Sequence, residues 1–186
     1  MPPKQRFNHK LILDKAYEMF LTGGMDIVNA RSVSKALHCS TQPIFSYFPD
    51  MSGLRSALVD RAYEDFSVRL AEAEAAEPSI LSRCLAYEQF AAAFPQVFLF
   101  LTGNDPRNRE ENACDLLFAL PKEVLTAEMD RHHIGEEAAL RLQRELCVYA
   151  HGTATLLAQG SNEASPEALA EGTKALYTVL VQKRDE

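Results

Sequence analysis

The sequence predicts an all-α protein. Three observations carry that expectation. Apolar residues recur every three or four positions along most of the chain. Capping residues and Gly or Pro punctuation cut this pattern into helix-sized segments. No segment stands out as a β-strand, and no internal repeat is visible.

The elements follow in order. Ile12, Ala16 and Phe20, with Leu13 and Tyr17 beside them, predict a first helix over about 8–21, ended by Gly23 and Gly24. Asn29 is a good cap for a second helix, with Val33, Ala36 and Leu37 on one face. The pattern breaks at His38 and Cys39. Ser40 can cap a third, short helix that keeps Pro43 in its tolerant first turn and carries Ile44, Phe45 and Phe48 toward a core. Pro49 pushes Phe48 out of helical geometry. Asp50 then caps a long helix to about residue 74, with Leu54, Leu58, Ala62, Phe66 and Leu70 on one stripe. Its end, AEAEAAE (71–77), is polar and Ala-rich, as a connector would be.

Pro78 and Ser79 open the second part. Ile80, Leu81, Cys84, Leu85, Phe90 and Phe94 predict a helix that Pro95 interrupts. Residues 94–101 are apolar all round and should be buried. Residues 102–112 read as a polar loop. Leu116, Leu117, Phe118 and Leu120 mark another helical pattern, which restarts after Pro121. Gly135 is a boundary, and a long helix over about 136–159 ends at Gly160. Ser165, Pro166 and Glu167 open the last helix, to about 182, with Leu169, Leu176 and either Val179 or Leu180 facing inward. Two domains are expected: 1–50, with the connecting helix running to about 75, and 76–186.

Composition narrows the class. Hydrophobic residues make up 47% of 186, enough for a real core and too many for a disordered chain. No long uncharged apolar run suggests a membrane span, and the basic start MPPKQRFNHK lacks the apolar stretch of a signal peptide. A cytoplasmic protein with no membrane partner is expected. Cys39, Cys84, Cys114 and Cys147 are scattered, with no CxxC pair, and read as reduced thiols. The net charge is −7, but the first 50 residues carry +2 and leave −9 to the rest. A mildly basic end on an acidic body suits a protein that touches nucleic acid at one end only.

Two short helices joined by a tight turn can lay the second in a DNA major groove. The order of residues around this unit is more specific. ILDKAYEMF (12–20), Gly24 and VSKALHCSTQPIFSYFPDMSGL (33–54) resemble, without a gap, the amino-terminal pattern of the tetracycline-repressor (TetR) family of bacterial regulators. YAHGTATLLAQG (149–160) is similar to the penultimate helix of some members, with small residues at Ala150, Gly152 and Ala154. The resemblance implies an amino-terminal three-helix helix-turn-helix DNA-binding domain followed by a helical ligand-binding and dimerisation domain. It also implies partners: a double-stranded DNA operator, a small-molecule effector and a second copy of the chain.

Carried over by position, the DNA-reading residues are Ser40, Thr41, Gln42, Pro43, Ser46 and Tyr47, with Arg31 before them and Lys4 and Arg6 in a basic arm with Lys10. The chemistry fits. Gln can make two hydrogen bonds to adenine, Thr offers a hydroxyl and a methyl, and Tyr, Ser and cations reach phosphates. Three positions depart from the family pattern. Phe45 stands where Tyr is usual, His38 where Gly is usual, and Met51 where Lys is usual. One hydroxyl and one cation are therefore missing from the phosphate contacts.

The same resemblance implies an effector cavity in the second part. Phe90, Phe94, Phe98, Leu117, Phe118, Leu125, Cys147 and His151 are the expected lining, which would suit an apolar or amphipathic ligand. Cys147 and His151 share a helix face at i, i+4. Neither a metal site nor a catalytic triad is complete around them, so no metal, cofactor or enzymatic activity is expected. The resulting expectation is a homodimeric repressor whose last two helices pair across a twofold axis. Two other readings are a helical interaction or ligand-sequestering protein with weakened DNA binding, and a small thiol enzyme using Cys147.

Overall fold

The structure, a computed structural model, describes residues 7–103, 105–108, 112–160 and 165–183. Ten α-helices and one short 3-10 turn make up its elements, and no strand occurs among the described residues.

The amino-terminal unit is built from caps and a small core. Helix α1 (His9–Gly23) starts where the Asn8 side chain accepts from the Leu11 amide at 2.8 Å. It ends at Gly24, whose φ of 76° lies in a region that only glycine enters freely. Helix α2 (Ala30–Ala36) opens on a reciprocal cap: Asn29 accepts from the Ser32 amide, and Ser32 Oγ accepts from the Asn29 amide. Helix α3 (Gln42–Tyr47) starts later than expected. Thr41 holds the cap position rather than Ser40, with no side-chain cap bond, and Pro43 sits in the first turn. Ile12, Ala16, Phe20, Val28, Val33, Ile44 and Phe48 close the core of this unit.

Helix α4 (Met51–Ala76) is capped by Asp50, which accepts from the Gly53 amide at 2.8 Å. That bond holds the Asp50 carboxyl below its ordinary range. The five predicted stripe residues are all buried, so α4 joins both cores as one continuous rod. Its AEAEAAE end is helical to Ala76 and is pinned by an ion pair between Glu74 and Arg83.

Helix α5 (Ile80–Ala93) begins at a Ser79 cap and is the central element of the second part, with Tyr87, Cys84 and Ala91 fully buried. Pro95 breaks it as expected. The chain bends by 116° into α6 (Pro95–Thr102), where Val97, Phe98, Phe100 and Leu101 are buried. Phe100 meets Phe20 of α1 edge-on at 5.3 Å, tying α6 to the amino-terminal unit. Helices α7 (Ala113–Phe118) and α8 (Lys122–His132) follow. Helix α9 (Glu136–Ala158) packs most extensively on α5, and α10 (Pro166–Gln182) covers both.

Within the chain, Ala150 and Ala154 are buried rather than presented at the surface, while Gly152 is exposed. Of the two alternatives on α10, Leu180 packs against the core and Val179 is exposed. No single helix among the described residues is long and apolar enough to cross a membrane.

Candidate nucleic-acid interface and effector domain

Helices α2 and α3 set the geometry of the proposed reading head. Val33 and Ile44 face each other's core at zero exposure. The turn between them needs a left-handed residue, and His38 supplies it with φ 53°. His38 thus takes the conformation that makes glycine usual at this position. Cys39 donates its amide to Ser34 O at 3.0 Å and closes the turn.

Burying Ile44 and Phe48 leaves Ser40, Thr41, Gln42 and Ser46 exposed together, with Pro43 half-buried at their edge. Arg31 is exposed in the first turn of α2. Phe45 is also on the open side, at 45% exposure, where the sequence alone suggested a core residue. Its ring lies one turn from Thr41 and Gln42. Two hydroxyls are already engaged. Ser46 Oγ donates to Gln42 O at 3.0 Å, and Tyr47 Oη donates to Phe7 O at 2.9 Å. Tyr47 therefore ties the end of α3 to the residue just before the α1 cap. Lys4 and Arg6 lie outside the described residues. Met51, in the first turn of α4, is half-buried and offers no charge to a phosphate.

In the second part, the expected lining residues sit in three settings. Phe90, Phe98, Leu117 and Cys147 are fully buried core. Leu125 and His151 are half-buried, and Phe118 is exposed at the end of α7. Phe90 and Phe94 also border a cleft of about 490 Å³, shared with Tyr17, Leu21, Arg61 and Arg69. A second cleft, of about 440 Å³, lies between α4 and α7 and is lined by Tyr63, Ser67, Asn112 and Leu116 with Asp60, Glu64 and Asp115.

Sequence reasoning missed the residue at the centre of this domain, Tyr87. Its hydroxyl shares a hydrogen bond with His151 Nδ1 at 2.8 Å and lies 3.7 Å from Cys114 Sγ. Its ring meets Phe66 and Phe98 edge-on. Burial pushes the phenol pKa up and the His151 pKa down, so both groups are held neutral. The helical spacing of Tyr87 from Cys84 and Phe90 was available, but a single tyrosine in an apolar stripe carries no signal by itself.

The Cys147–His151 pairing read from the helix face does not form. Cys147 turns to Cys84, sulfur to sulfur at 3.9 Å, while His151 engages Tyr87 and Cys114. Cys147 has zero exposure, so its thiol lacks the access that a catalytic nucleophile requires.

Two buried carboxyls were also missed. Glu128 accepts from the Ile80 amide at 2.9 Å and from Tyr177, and lies 3.0 Å from His132 Nε2. It locks α8 to the start of α5 and to α10. Glu88, 3% exposed, accepts from Thr173 Oγ1 at 2.5 Å. Its other oxygen is buried without a hydrogen-bond partner among the described residues. Burial raises its pKa to about 7, against the lowering effect of Thr173.

The arrangement is a helix-turn-helix head on a helical body, joined by α4 and by the α1–α6 contact. Solved structures share it. SCO4313, a protein assigned a regulatory role, aligns over 97% of this chain and 99% of its own at 19% identity, with a TM-score of 0.64. Thermus thermophilus FadR, a TetR-family transcriptional repressor solved in complex with lauroyl-CoA, aligns over 95% of each chain at 19% identity, with a TM-score of 0.50. At these identities the likeness is one of fold, and the fold is the one expected from the sequence. No protein-family model matches the chain, and no curated protein matches its sequence.

Proposed function

We propose that this protein is a homodimeric, ligand-responsive transcriptional repressor that binds DNA through α2 and α3. The observation that carries this reading is the exposed face of α3. Thr41, Gln42 and Ser46 stand together on a short helix whose opposite side is locked into a core by Ile44 and Phe48. A helix so held presents its side chains to a major groove in a fixed register. The basic first 50 residues add the sequence-independent attraction to phosphate. The boundary between head and body falls near residue 50, with α4 common to both.

The body is the effector and dimerisation domain in this reading. An apolar or amphipathic effector suits the aromatic surroundings of Tyr87, Phe98 and Phe90, and the fold relative FadR binds lauroyl-CoA. A ligand that favours a form with its two heads wrongly spaced for successive major grooves, about 34–36 Å apart, releases DNA.

The deciding experiment is a mobility-shift titration of the full chain on DNA from upstream of its own gene. Tight, sequence-selective binding is expected. In Gln42→Ala, discrimination against mutated operators falls by about 1–3 kcal/mol, the worth of one paired adenine contact. Equal binding of the parent to operator and to scrambled DNA overturns the proposal.

A further inference from the structure

We infer that the exposed ring of Phe45 reads a thymine, packing on its 5-methyl group in the major groove; this rests on the DNA-binding role proposed for α3 and names one base that α3 selects.

The ring stands inside a polar face. At 45% exposure, Phe45 is the most exposed phenylalanine or tyrosine among the described residues. It lies one turn after Thr41 and Gln42 and next to Ser46, all of them exposed. On a helix of about 3.6 residues per turn, its direction falls between those of Thr41 and Gln42.

The ring is also held there. The Phe45 amide donates to Thr41 O at 3.3 Å, within the first turn of α3. Ile44 has zero exposure, and Phe48 is buried with its ring 4.4 Å from that of His9 on α1, centroid to centroid. Rolling α3 to bury Phe45 would pull Ile44 out of the core. The phenyl ring therefore stays in water until a partner covers it.

Its neighbours define that partner. An apolar protein surface would cover the ring, but it would strip water from Thr41, Gln42 and Ser46 without replacing their hydrogen bonds. A major groove meets both needs. Base edges offer donors and acceptors, and thymine offers the groove's apolar methyl group. The ring has no hydroxyl for a phosphate, so an apolar group is the contact it can make. One helical turn, about 5.4 Å, covers one to two base steps of about 3.4 Å. The thymine read by Phe45 therefore lies within about two base pairs of the adenine bonded by Gln42.

Charge favours the same partner. The four acids of the first 50 residues are all engaged: Asp14 with Arg61 at 2.6 Å, Glu18 with Lys15, Asp26 with Arg107 at 2.7 Å, and Asp50 as the cap of α4. Arg31 and Lys35 of α2 are exposed and form no ion pair among the described residues. Their charge is free for phosphates on either side of the groove.

The test starts with the full-length protein selecting its strongest site from a random duplex library. Each thymine of that site is then replaced singly by deoxyuridine, which removes the 5-methyl group and keeps every hydrogen-bonding group. In each half-site, one replacement should weaken the parent by about fourfold, the worth of one buried methyl group. Phe45→Ala should bind the thymine and deoxyuridine duplexes equally, at unchanged helicity and thermal midpoint. Thr41→Ser, which removes the other methyl group on this face, should keep the parental difference. A second readout repeats the selection with Phe45→Asn, whose preference at the methyl-sensitive position should leave thymine while the rest of the site persists. A selected site with no methyl-sensitive thymine, a sensitivity that Phe45→Ala leaves intact, or an unchanged thymine preference in Phe45→Asn overturns the inference and leaves DNA binding standing. A parent that selects no site overturns the DNA-binding role, and the inference with it.

Discussion

At the scale of single residues, His38 and Met51 show how a departure from pattern becomes physical. The left-handed turn at His38 costs an L-residue about 1 kcal/mol, because Cβ crowds the following carbonyl. Glycine relieves that crowding and loses part of the gain to its freer unfolded chain. His38→Gly should therefore raise stability by about 0.5 kcal/mol, read as a higher urea midpoint at unchanged slope. A lowered midpoint would mean that the imidazole contributes more than the turn costs. Met51 is a matter of charge. It lies one residue after the Asp50 cap, at the start of a helix next to the reading head. Met51→Lys should strengthen DNA binding and steepen its salt dependence by about 0.9 in log–log slope, one counterion. An unchanged slope would place residue 51 away from any phosphate. Both positions were legible in the sequence. The exposure of Phe45 was not, because its apolar character reads as core until α3 is oriented.

At the scale of elements, buried carboxyls decide how α10 and α8 hold α5. Glu88 has its pKa raised to about 7, from the 4.5 of a free glutamate. Between those two values the folded protein keeps a proton that the unfolded chain has released. Its contribution is therefore fully present below pH 4.5, and is lost as pH rises toward 7. The loss is roughly 3 kcal/mol at about 1.4 kcal/mol per unit of pKa. Glu88→Gln should gain on the parent progressively over that interval and exceed it in stability above pH 7. Paired urea titrations at acid and alkaline pH measure the difference. A parent-minus-variant difference that is flat with pH would show that Glu88 is ionised in the folded state throughout. Glu128 is the opposite case, because its bonds to Ile80, Tyr177 and His132 satisfy it. Glu128→Ala strips a buried donor set of its acceptor and should cost about 3 kcal/mol, read as a depressed thermal midpoint. Retained stability would show that water replaces the carboxylate.

At the scale of the whole molecule, α9 and α10 leave an unsatisfied apolar face. Val148 is 61% exposed, and Tyr149, Leu156 and Val179 are exposed with it. A second copy related by a twofold axis would cover this face and place two reading heads for a pseudo-palindromic operator. Small residues at 150 and 154 do not serve that contact, since both are spent on packing within the chain. The parent should sediment as a dimer at micromolar concentration. Val179→Glu should sediment as a monomer and lose tight operator binding, because one buried unpaired charge opposes its own symmetry mate. A monomeric parent that binds its operator tightly would overturn this assembly.

The division between what the sequence determined and what the tertiary structure decided follows the range of the interactions. Helix ends are local. Asn29, Asp50 and Ser165 cap where they were expected to, because a cap acts within one turn of its own helix. The stripe of α4 and the Pro95 break are local for the same reason, and so were readable along the chain. Thr41 taking the cap from Ser40 marks the limit, because the left-handed turn at His38 sets where α3 can begin. Pairings between helices are not local. Tyr87 with His151, Cys84 with Cys147, Glu88 with Thr173 and Glu128 with Tyr177 join residues 49 to 85 positions apart. Helical period fixes which face a side chain occupies, but not which helix it meets there. That choice belongs to the packing of α5 against α9 and α10, where shape and the need to satisfy buried polar groups select one partner among several on the same face.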